Sequence, residues 1–125
     1  MTTWTLRLPY TTPPLSLNGR HHWRTKARIT RRIHADVSWA LRQAHVPPCP
    51  AIHIQLVYVP RDRRTRDEDN LVATLKPCID AIVRAGIVPD DSPQYVTWAR
   101  PRIDPPQPSD PHLYLVITAQ EPPRD

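Results

Sequence analysis

Seven of the chain's twelve acidic residues fall within positions 61–91: Asp62, Asp67, Glu68, Asp69, Asp80, Asp90 and Asp91. Four arginines (Arg61, Arg63, Arg64, Arg66) stand just ahead of the acidic knot at 67–70, and Lys76 sits in the apolar run behind it. Carboxylate oxygens are the ligands of hard divalent cations, and guanidinium groups pair readily with phosphate. Together they are what a metal-dependent phosphodiester enzyme requires: cations to draw in a polyanion, and carboxylates to hold the metal that activates water.

Each part also has a plainer reading. Asp67 and Asp69 are two residues apart, so on an extended chain both side chains point to one face, as a shared metal requires. The same aspartates are preferred helix N-caps and complement the helix dipole. If a helix starts near Asp69, then Leu71, Leu75, Cys78, Ile79 and Ile82 form its apolar stripe. Asp69, Lys76 and Asp80 then share the opposite side, within about 20° of one line. Pro77 kinks a helix that starts there; a start capped by Thr74 places it in the tolerated first turn instead. Asp90 and Asp91 open a P-D-D-S turn, where turn chemistry alone favours Asp, and either one can complete a site with Asp67 and Asp69. Carboxylates gathered in this way repel one another unless a metal or a coat of cations is present.

The elements that must position these residues follow from periodicity. Residues 4–8 alternate apolar and polar, a first strand. Within 26–44, Ile29, Ile33, Val37, Ala40, Leu41 and Ala44 recur at helical spacing on about 120° of arc, with Arg28, Arg31, Arg32, Arg42 and Trp39 opposite. Residues 51–59 make a central strand, 60–66 an arginine loop, and a second helix ends near Gly86. Residues 95–102 and 113–118 make two further strands, and the tail from Gln120 frays. The fold class is α/β (α+β): a mixed sheet of about four strands with two main helices packed on it, in the order β-α-β-α-β-β, whose strand–helix–strand opening allows a right-handed crossover.

With 125 residues, the chain suits one domain over 1–119 and a tail over 120–125. Net charge is +5, with fifteen arginines against two lysines. A surface of that sign favours polyanions, and Trp23 and Trp39 lie among the cations of the first helix, where bases stack. His21 and His22 precede that helix and offer a metal or phosphate contact, or solvation alone. The seventeen prolines gather between the periodic segments as loop punctuation. No apolar run reaches the roughly 20 residues that span a bilayer, and no signal segment opens the chain. Cys49 and Cys78 lack metal-ligand spacing, which suits a reduced, intracellular setting.

The ordered set D-E-D-N-L…L-K-P-x-x-D-A-I-x-x-A-G-I-V-x-D-D-S over 67–92, behind an arginine-rich loop, resembles the RusA-type Holliday junction resolvases. The upstream P-P-L-S-L-N-G-R-H-H-W-R is similar to that family's loop before the first helix, and the similarity spans roughly residues 6–119. The resemblance implies a RusA-like fold and a small homodimeric endodeoxyribonuclease that needs Mg²⁺, with Mn²⁺ as substitute. It also implies paired nicks in four-way DNA during recombination and repair, and a phage or prophage origin in a bacterial cytoplasm. By the same resemblance Asp67, Asp69 and Asp91, with Asp90 beside it, hold the metal, and Lys76 is the catalytic lysine. About three residues within 71–75 look inserted relative to the family, one helical turn, which preserves the facing direction of Lys76. Arg20, Arg24, Lys26, Arg28, Arg31, Arg32, Arg61, Arg63, Arg64 and Arg66 then bind the junction arms. Two other readings stay open: a non-catalytic basic DNA- or RNA-binding module, and a Mg²⁺ nuclease for other branched or plain DNA.

Overall fold

The first helix forms where apolar residues recur every four positions. In the computed structural model, which describes residues 1–17, 19 and 21–121, α1 runs Trp23–Gln43. Ile33, Val37 and Leu41 on its inner stripe are at most 3% exposed. It starts three residues earlier than the apolar pattern because His22 caps it: the imidazole Nδ1 accepts the Arg24 N–H at 3.2 Å. His22 is therefore a helix cap here. At the other end His45 takes a left-handed φ of 55°. Its N–H donates to the Arg42 carbonyl and that of Val46 to the Leu41 carbonyl, a Schellman closure.

Three strands pair over long stretches. β1 (Thr3–Leu8) runs antiparallel to β5 (His112–Gln120), and β5 runs antiparallel to β2 (Ala51–Val59). β1 and β2 are thus parallel, with β5 between them. The register stacks apolar residues in rows across the sheet: Trp4–Ile117–Ile54, Leu6–Leu115–Leu56 and Leu8–Leu113–Tyr58. A slip by one residue would turn every row to the opposite face, so burial of one face specifies the pairing. Both helices pack on that face, where Leu75, Ile82, Leu115 and Ile117 are wholly buried. Each such side chain contributes roughly 1.5–3 kcal/mol. Gln120, expected in the tail, pairs with Ala51, and residues 122–125 lie outside those described.

The remaining edge departs from expectation. The single strand predicted over 95–102 is two short ones, β3 (Val96–Trp98) and β4 (Arg102–Ile103), both parallel to β2. Between them the register slips by one residue, from Ile54 opposite Trp98 to Val57 opposite Arg102. Pro101 has no N–H for the ladder, and the edge bulges there, with Arg100 exposed and Pro101 buried. The sheet therefore has five strands, in the order β1-β5-β2-β3 with β4 also on β2. The class is mixed α+β.

Neither register expected for the second helix is adopted as such. A 3-10 helix, Glu68–Leu71, leads into α2, Val72–Arg84, and Pro77 sits inside α2. Thr74 is no cap. Its hydroxyl is 0% exposed, donates to the Leu15 carbonyl at 2.7 Å and accepts the Leu15 N–H at 3.3 Å, which pins the loop after β1 to α2. The expected stripe of Leu71, Leu75, Cys78, Ile79 and Ile82 is buried, and Lys76 and Asp80 are exposed. Gly86, at φ 81°, closes α2 as its C′ residue. Cys49 and Cys78 are buried and unbridged, and burial pushes the Cys78 thiol up to about 12. Among the described residues no helix is long and apolar enough to cross a membrane.

Candidate active site

β2 ends at Val59, and the arginine loop that follows Pro60 is tied together by Arg66. Its guanidinium donates to the carbonyls of Asp62 and Arg64, both at 2.9 Å, and to Asp62 Oδ1 at 2.8 Å, while lying over the Tyr58 ring. This delivers an extended Asp67 (φ −97°, ψ 119°) to the start of the 3-10 helix. Asp67 Oδ1 there accepts the Asp69 N–H at 2.9 Å. The capping role is thus realised for Asp67. The extended run that would align Asp67 with Asp69 stops at Asp67, because Glu68–Leu71 is already helical.

Arg100 is the residue that sequence reasoning missed. The bulge carries it out of the edge, with its carbonyl held by Gln55 Nε2 at 3.0 Å. Its Nε stands 3.2 Å from Glu68 Oε2 and 3.2 Å from Asp69 Oδ1. Two carboxylates from the 3-10 helix thus converge on one positive charge. The available signal was Arg-Pro inside an apparent strand, since proline marks a bulge or an edge.

Further along α2, Lys76, Asp80, Asp91 and Trp98 line one hollow of ≈ 250 Å³, floored by Leu75, Ile79 and Val96. Lys76, Asp80 and Asp91 thus open onto the same hollow. Asp90 turns aside: its Oδ1 accepts the Ser92 N–H at 2.7 Å, the expected turn interaction.

The carboxylates fall in two places: Asp67, Glu68 and Asp69 at the 3-10 helix beside Arg100, and Asp80 and Asp91 in the Lys76 hollow. Their oxygens suit Mg²⁺ in kind, and the Arg100 guanidinium stands in for a cation between Glu68 and Asp69. A third carboxylate does not join them: among the described residues, no three His, Cys, Asp or Glu side chains are grouped to hold a metal. The residues fit a divalent cation in donor type and in the convergence of one pair.

The basic helix face is as expected. Arg28 and Arg31 are exposed, Arg24 lies over Trp23 at 5.2 Å, and Arg42 over Trp39 at 5.8 Å, with both indoles outward. Arg32 pairs with Asp36 at 3.7 Å. Arg20 lies outside the described residues. Arg61, Arg63 and Arg64 are exposed, whereas Arg66 is committed to its own loop. Compared with known proteins, the chain matches no family model and no curated sequence.

Proposed function

We propose that the chain is a Mg²⁺-dependent endodeoxyribonuclease with a RusA-like fold, acting on branched DNA and, in the first place, on four-way junctions. The observation that carries the reading is the convergence of Glu68 and Asp69 on a single cation at the start of a helix that also presents Lys76. By the resemblance Asp67, Asp69 and Asp91, with Asp90 adjoining, would hold the metal. Of these Asp67 and Asp69 stand together at the 3-10 helix, while Asp91 lines the separate Lys76 hollow and Asp90 holds the Ser92 turn. When bound, the metal supplies a Lewis acid and a water acidified enough to serve as nucleophile.

The chain's own groups do the rest. The Lys76 ammonium, exposed on α2, offsets charge on the phosphate as the bond to its leaving oxygen lengthens. Arg100, released from Glu68 and Asp69, offers a planar fork to the same phosphate. The outer face of α1, with Arg24, Lys26, Arg28 and Arg31, draws in a DNA arm, and Trp23 gives a base a surface to stack on. A homodimer places two such sites across a two-fold axis, which matches paired nicks in a symmetric junction. A phage or prophage gene product working in bacterial cytoplasm goes with this reading.

The test is cleavage of a synthetic four-way junction with and without Mg²⁺, by the native protein and by Asp69→Asn. We expect the variant to lose about 100-fold or more of the Mg²⁺-dependent rate while still binding DNA, since one repulsive charge is gone. Unchanged cleavage would remove the idea. A panel of flaps, forks and plain duplex separates a junction enzyme from a broader nuclease.

The capping role of Asp67 and the turn role of Asp90 favour a second reading, a non-catalytic nucleic-acid-binding module. It predicts binding that weakens steeply with salt and is indifferent to Mg²⁺.

A further inference from the structure

The loop after β1 and the arginine loop after β2 meet over the Tyr58 ring. The hollow between them, ≈ 310 Å³, is lined by Thr11, Thr12, Tyr58, Arg61, Arg64, Arg66 and Pro111. Three guanidiniums therefore share one small space. Asp62 offsets part of the charge: its carboxylate takes Arg66 at 2.8 Å and Arg64 at 3.4 Å. Arg66, and after it Arg64, hold that carboxyl below the ordinary carboxylate range. Arg61 has no ion pair among the described residues. One carboxylate against three guanidiniums leaves the hollow with a net excess of two positive charges.

Like charges gathered in this way repel, so they lower their energy by taking up an anion. The donors suit one anion class. Guanidinium forks and threonine hydroxyls are hydrogen-bond donors in the geometry a tetrahedral oxyanion accepts, and arginine is over-represented where phosphate is bound in two-pronged fashion. Arg66 is already fixed by its three bonds to the loop and by its contact with Tyr58, so little ordering remains to be done. Arg63 belongs to the same run but does not line the hollow.

We propose that this hollow is a phosphate-binding site, distinct from the carboxylates, that takes a phosphate group of a nucleic-acid strand and seats it one residue away from Asp67. Only the identity of the ligand as nucleic acid rests on the nuclease reading. Arg66 links the two places: it lines this hollow and also the adjoining depression that holds Asp67, Glu68 and Arg100. The site would set the register of the strand relative to the carboxylates, as phosphate contacts do without reading sequence.

The test compares the native protein with Arg61→Gln/Arg64→Gln and with Arg84→Gln, an exposed arginine at the far end of α2, as control, leaving Arg66 in place to hold the loop. Titration calorimetry is run with inorganic phosphate at matched ionic strength. It is repeated with short single strands ending in a phosphate or in a hydroxyl, in the absence of divalent cation. We expect the double variant to lose about tenfold in affinity and about one unit of salt slope per guanidinium removed, with the control close to native. A preference for the phosphorylated end in the native protein alone marks a strand terminus as the ligand. Equal binding of both strands, with the reduced slope, marks an internal diester. Equal losses in the control and the double variant, or none in either, overturn the proposal. Arg61→Gln alone repeats the test should the double variant fail to fold. Because no metal is present, a protein that fails to cleave junctions still returns an answer on the phosphate site.

Discussion

Arg100 shows how one side chain changes the meaning of its neighbours. Glu68 and Asp69 are paired to it at 3.2 Å each, yet both partners and Arg100 itself are well exposed. Exposed pairs of this kind are worth at most about 1 kcal/mol. The guanidinium is thus a weak competitor for any other cation at those oxygens. Arg100→Gln should tighten Mg²⁺ binding by roughly fivefold, measured calorimetrically on the metal-free protein. Weaker binding in the variant would mean that Arg100 organises the carboxylates rather than competing for them. The carboxylates and Lys76 were legible from their spacing, whereas Arg100 was not. Its role depends on a bulge whose length becomes visible only when β3 and β4 are laid against β2.

At the scale of elements, helix ends and one buried hydroxyl decide how the site is held. α1 closes on His45 at φ 55°, a conformation that costs a non-glycine residue roughly 1 kcal/mol. His45→Gly should raise stability by up to about 1 kcal/mol, moving the thermal midpoint up by roughly 3–5 °C. A lower midpoint would show that the imidazole makes a stabilising contact of its own. α2 depends on Thr74, which both donates to and accepts from the Leu15 backbone. Thr74→Val keeps the shape and strands two buried backbone groups, so it should cost about 1–3 kcal/mol in urea unfolding. It should also speed proteolysis over residues 9–17, and an unaltered digestion rate would count against the pin. Apolar periodicity revealed both helices and the strand at 51–59. Pro77 obscured the start of the second helix, because a propensity rule cannot foresee a 3-10 turn that moves the α-helical start to Val72.

Over the whole molecule, buried and paired charges set the response to acid. The Arg66 guanidinium holds the Asp62 carboxyl below its ordinary value, and the Arg7 guanidinium does the same for Asp110. Burial raises the Asp104 carboxyl, but its bonds to Arg102 and Tyr114 outweigh that and lower it overall. A carboxyl lowered by folding contributes stability above its unfolded value, near pH 4, and loses it as pH falls through the folded one. His34, lowered from 6.5 by burial and then by Arg84, against the opposing pull of Asp80, acts in the same direction: the fold prefers it neutral. The urea midpoint should therefore decline steadily from about pH 7 to about pH 3, and a flat profile over that range would contradict these pairings. The sequence by itself determined the period and place of the main elements, the apolar face of each, the basic outer face of α1, and the residue types available for metal and phosphate chemistry. These depend on neighbours within a turn or two of chain. Only the tertiary structure decided that Asp91 and Lys76 line one hollow, that Asp69 meets Arg100, and that Arg61, Arg64 and Arg66 share a hollow with Thr11 and Thr12. Those meetings join segments far apart in the chain, and they follow from strand register and a one-residue bulge, which burial of a common core selects.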